Sequence, residues 1–133
     1  MDSYSLDQMN AIPAGFKNTI FWNIAHVVVT QQLLMYNLCG LPMRTDADLV
    51  AKYRKGTRPE TPASEKELEQ IQELLFTTLE KTRDDIDTGA FRTVDSYRTS
   101  TGFVINSIED AATFNTFHEG VHLGYVLALK KAL

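Results

Sequence analysis

Asn115–Leu133 reads NTFHEGVHLGYVLALKKAL and contains His118-Glu119-Gly120-Val121-His122, a match to H-E-x-x-H. On a helix this motif places two imidazoles one turn apart, about 6 Å along the axis, where both reach one metal ion. In zinc proteases the intervening Glu is the general base for an attacking water. The choice between a protease and another kind of helical metal protein rests on what surrounds the motif.

Ser107 is a candidate N-cap, and the helix it opens is expected to run nearly to the C-terminus, with Lys130 and Lys131 in the last turn. The face shared by His118 and His122 carries Ala111, Phe114, Val121, Val126 and Leu129, interrupted by Asn115 and Tyr125. That face is apolar enough to turn inward, and desolvated imidazoles need partners. Glu119 lies about 100° around the helix from His118, beside Ala112 and Thr116. It reads either as a solvated rim carboxylate or as a general base.

A protease of the H-E-x-x-H kind takes its third ligand from downstream. Only Leu123–Leu133 follow His122, and they hold no His, Asp, Glu or Cys. No segment reads convincingly as the edge strand that would hold a peptide substrate. A third ligand must come from upstream, where His26 is the remaining histidine. His26 sits within Asn18–Leu38, read as a long helix of roughly 30 Å. Asn18 caps it, Gly40 and Pro42 end it, and it is apolar around much of its circumference. Trp22, Asn23 and Thr30 share a face with His26. His26 is therefore a satisfied core histidine or a ligand oriented by its neighbours.

The remaining chain is helical in pattern. Thr45 or Asp46 caps a short helix through Tyr53. Lys55–Pro62 is a connection. Ser64 and Glu67 form a capping box for a helix to about Asp87, closed by Gly89. Its stripe is Leu68, Ile71, Leu75, Leu79 and Ile86, widened by Leu74 and Phe76. Residues 90–106 read as a long loop and a candidate lid, and Leu6–Ile12 as a stub of at most two turns.

The composition narrows the function classes. The 133 residues suit a single domain, residues 1–133, with 44% apolar content and a net charge of −4. The densest basic cluster, Lys52-Tyr53-Arg54-Lys55, reads as a solvated helix end, which argues against nucleic acid as a partner. There is no membrane-spanning run, no basic and apolar leader in Met1–Ser5, and one cysteine, Cys39. A cytoplasmic protein is the simplest expectation.

Asn18-Thr19-Ile20-Phe21-Trp22-Asn23-Ile24-Ala25-His26 resembles the N-x-x-x-W-N-x-x-H segment of the DinB/YfiT-like superfamily. His118 to Gly124 is similar to its closing H-x-x-x-H-x-G segment, and Gln31–Leu34 and Gly40–Pro42 look like its first half. The resemblance runs from about residue 4 to the end. It implies an all-α, four-helix-bundle-type fold with a divalent metal held by His26, His118 and His122. It also implies metal-dependent hydrolysis, or S-transfer with a low-molecular-weight thiol, on a small-molecule substrate.

The ion expected is Zn²⁺, Ni²⁺ or Mn²⁺. Glu119 is the candidate catalytic residue; Asn23 and Gln32 are candidate helpers, and Trp22 and Tyr125 candidate pocket residues. A non-enzymatic metal- or ligand-binding bundle is the alternative function. The long N-terminal helix usual in the family is shortened or missing, which exposes apolar interior at about 25 cal/mol per Å². Either the natural chain starts upstream of Met1 or a second copy covers the gap, and a homodimer is expected in either case.

Overall fold

A computed structural model describes residues 4–133. The leaderless start read from Met1–Ser5 falls largely outside them. Five helices appear in chain order: α1 (Leu6–Asn10), α2 (Ile20–Met35), α3 (Ala47–Tyr53), α4 (Glu65–Asp87) and α5 (Ile108–Ala132). Each begins where a side chain can accept an otherwise free backbone N–H. Ser5 accepts from Gln8, Asp46 from Leu49, Ser64 from Glu67 and Ser107 from Asp110. The cap of α2 is Thr19 rather than Asn18: Thr19 Oγ1 accepts from the Trp22 amide at 2.9 Å. Past α2, one turn of 3-10 helix covers Asn37–Cys39 and stops at Gly40, which has φ 65°.

The fold is an all-α bundle centred on α2. Both α4 and α5 pack against α2, and they make no comparable contact with each other. Twelve of the sixteen residues of α2 are buried, as its nearly continuous apolar surface requires. One core cluster joins Phe21, Val28 and Val29 to Met9, Ile71 and Leu129; a second joins Leu34, Met35 and Tyr36 to Ile105 and Ala111. The stub folds as the five-residue α1 and buries Met9. Only half of the α4 stripe is covered: Ile71 is buried, whereas Phe76 is 62% exposed and Leu79 46%. On α5, Leu123 is 60% exposed.

Residues 90–106 are not loop throughout. Tyr97–Arg98 (β1) and Val104–Ile105 (β2) pair antiparallel, Tyr97 opposite Ile105. Two-residue strands are too short to show alternation in a sequence, which is why the reading found none. Among the described residues, no helix is long and apolar enough to cross a membrane.

Candidate metal centre

The three histidines meet although 92 residues separate His26 from His118. One ligand atom from each of His26, His118 and His122 lies within 4.8 Å of the others. His26 Nε2 and His118 Nε2 are 3.2 Å apart. Two nitrogens on a tetrahedral zinc stand about 3.3 Å apart, given bonds of about 2.0–2.1 Å. The His26–His118 pair is therefore spaced as two ligands of one small cation, and His122 lies close enough to join them.

Hydrogen bonds to the far side of two rings set their tautomers. His26 Nδ1 is 2.6 Å from the Tyr53 carbonyl oxygen, which only accepts, so Nδ1 carries the proton. His122 Nδ1 is 2.8 Å from Asn23 Oδ1. The Asn23 amide is itself oriented, because its Nδ2 donates to the Thr19 carbonyl at 2.8 Å. Both rings are left with Nε2 lone pairs, the form that binds a metal. His118 Nδ1 is buried with no partner. Thr30 Oγ1 stands 3.4 Å from His26 Nε2. Trp22 stacks on His26, with ring centres 4.7 Å apart and planes 10° apart.

The electrostatics favour neutral rings. Burial, and then the like charges of His122 and His26, push His118 down to about 3. Burial, then His26, push His122 down to about 4. Burial lowers His26 against the opposing pull of the Tyr53 carbonyl. All three are deprotonated at neutral pH and available as ligands.

The cluster forms the floor of a cavity of about 480 Å³. Its walls come from α2 (Leu33, Leu34), α5 (Phe114, Phe117) and the hairpin that includes Tyr97 and Thr99. A volume of that order holds a small organic molecule.

Of the residues expected to assist, the structure gathers some and disperses others. Asn23 orients His122, and Trp22 covers His26. Glu119 is corrected. It lines a different cavity, with Val28, Leu75 and Leu123, and accepts from Asn115 Nδ2 at 2.7 Å. Its position one residue past His118 rotates it out of the histidine face. Gln32 is also corrected: it is fully buried, accepts from the Arg44 amide at 2.7 Å and donates to Gln31. Tyr125 does not line the histidine cavity either; it packs edge-on against Phe16 at 5.8 Å. The sequence reading missed the Tyr53 carbonyl, a backbone atom that no residue type announces. It also missed Lys55 and the hairpin hydroxyls, which reach the cavity through loop geometry.

The family model of the DinB superfamily matches residues 1–126. The chain belongs to that superfamily. No curated protein matches it.

Proposed function

We propose that this DinB-superfamily protein is a metal-dependent enzyme that acts on a small molecule, by hydrolysis or by transfer to a low-molecular-weight thiol. The observation that carries the reading is the convergence of three neutral imidazoles, two of them oriented from behind, at the floor of a largely apolar cavity. His26, His118 and His122 would hold the ion, with Zn²⁺, Ni²⁺ or Mn²⁺ as candidates. When bound, it supplies Lewis acidity, which polarises a carbonyl or acidifies a thiol. The chain does the rest. Asn23 and the Tyr53 carbonyl fix the ring orientations. Leu33, Phe114 and Phe117 give the cavity apolar walls against which the body of a small molecule would lie. Glu119 has no part in this scheme, because it lines a different cavity.

The test is turnover by metal-loaded wild type and His122→Ala on two panels: aryl esters, and aryl halides offered with small thiols. Turnover that disappears in the variant supports the reading. A loaded wild type silent on both panels counts against it and favours the non-enzymatic alternative.

A homodimer belongs to the same proposal. The exposed Leu79 and Leu123 line the groove between α4 and α5, a largely apolar face that a second copy would cover. Light scattering after size exclusion should give twice the chain mass, and a Leu123→Glu variant should run as the single chain. A monomeric wild type would remove the dimer from the proposal.

A further inference from the structure

The histidine cavity has a charge asymmetry. Its walls are mainly apolar, and Lys55 is the one side chain lining it, among the described residues, that carries a full charge at neutral pH. No carboxylate lies within ion-pairing distance of Lys55 among those residues, whereas its neighbour Lys52 is engaged by Glu67 at 2.7 Å. The backbone that presents Lys55 is held firmly. Arg54–Thr57 form a turn closed by the Thr57 amide on the Arg54 carbonyl at 3.2 Å. Gly56 takes φ 91° there, a conformation that favours glycine. Thr57 Oγ1 reaches the Lys52 carbonyl at 2.7 Å and the Arg54 carbonyl at 2.8 Å, and it accepts from Trp22 Nε1 at 3.3 Å. Lys55 thus follows Tyr53, whose carbonyl orients His26, by two residues. The turn that presents it is anchored through Thr57 to Trp22, the ring stacked on that same histidine. Across the cavity, Thr99, Ser100 and Thr101 of the hairpin add hydroxyls.

The geometry points to Lys55 as a specificity-determining residue: the cavity takes a small molecule with an apolar body and an anionic group, a carboxylate in the simplest case, which Lys55 pairs. This deepens the proposed function and rests on it for the reacting end. The apolar body lies against Leu33, Phe114 and Phe117, the anion at Lys55, and the group to be transformed at the histidine floor. A neutral analogue of the same shape forgoes the ion pair. A dianion finds only one cationic side chain in the cavity lining among the described residues.

The test compares 4-phenylbutyrate with 4-phenylbutanol, which share the apolar body and differ in the anion, by ligand-observed NMR titration. Metal-free and metal-loaded protein are both titrated, so that carboxylate held by the metal is separated from carboxylate held by Lys55. Metal-free wild type should bind the carboxylate about fivefold more tightly than the alcohol. Lys55→Met should abolish the preference, Lys55→Arg should keep it, and added salt should shrink it. No preference in metal-free wild type, or a preference unchanged in Lys55→Met, overturns the inference. Metal content of the same samples reports on the centre separately. Bound metal without carboxylate preference removes Lys55 alone, and carboxylate preference without metal removes the centre and leaves Lys55 as an anion anchor.

Discussion

Helix α2 carries two buried polar clusters, and they differ in whether their hydrogen bonds close. Toward its C-terminal end the bonds run in one direction. The Arg44 amide donates to Gln32, Gln32 to Gln31, Gln31 to Thr82, Thr82 to Tyr36, and Tyr36 to Asp85. Lys81 donates to the same carboxylate and, as the largest cause, holds it below its usual range. Every member has a partner, and nothing is left for a ligand. Toward the N-terminal end, His26, His118 and His122 converge; the outer nitrogens of His26 and His122 are fixed, whereas His118 Nδ1 has no partner among the described residues. Both clusters are polar groups taken out of water, which is costly unless they are satisfied. The first is satisfied by the protein itself. The second turns its ring nitrogens on one another, an arrangement compatible with a shared cation. Burial of polar residues does not separate a structural network from a binding site; the direction of the unused lone pairs does.

The sharpest test of this contrast is metal content. Wild type should carry about one first-row ion per chain by mass spectrometry. His118→Ala should carry none, and Tyr36→Phe, in the closed cluster, should match wild type. Loss of metal in both variants would erase the distinction. Next in size, Asn23→Ala removes the acceptor behind His122 and should weaken metal affinity about 10- to 100-fold, the usual cost of losing an orienting partner. Competition with a chelating dye measures it. An unchanged affinity would mean that His122 is held by packing alone.

The closed cluster predicts the opposite phenotype. Tyr36→Phe leaves Asp85 and Thr82 short of a partner and should cost about 1–2 kcal/mol in urea unfolding. A variant as stable as wild type would show that the relay contributes little.

The smallest effect concerns pH. The histidines titrate lower in the fold than in the unfolded chain, so between those values the unfolded state binds more protons. Metal-free stability should be complete above about 6.5 and fall as pH drops toward about 4 for His122 and about 3 for His118. Unfolding at pH 6.5 and pH 5 samples this before most carboxylates respond, and Zn²⁺ should flatten the difference. A flat metal-free profile would place the imidazoles in water.

The parts legible in the sequence were those set by local chemistry. Caps at Ser64, Ser107 and Asp46 follow from bonds that span three residues. Helical spacing put Ala111, Asn115 and Leu129 on the buried face of α5 and His118 beside His122, although Val121 and Tyr125 of the same expected face are exposed. The motif's Glu was harder: the same spacing turns Glu119 about 100° away from His118, so one H-E-x-x-H string is divided between two cavities. Gln32 and Tyr125 share helices with ligands, yet their directions depend on the Arg44 loop and on Phe16, both distant in sequence. Lys55 is solvent-exposed, as its cluster suggested, and only the path of the 54–57 turn also brings it to the cavity rim. The hairpin is held by pairings such as the Thr99 amide on the Phe103 carbonyl at 2.8 Å, which leave no periodic trace.

Trp22 is the sole tryptophan of the chain, and it lies face to face with a ring of the centre. The protein therefore contains its own optical probe. Open-shell ions such as Ni²⁺ should extinguish indole emission at this range, whereas Zn²⁺, with a filled d shell, should only shift it. Occupancy, exchange of one ion for another and the rate of loading can be followed in the unlabelled chain, by its colour in the ultraviolet.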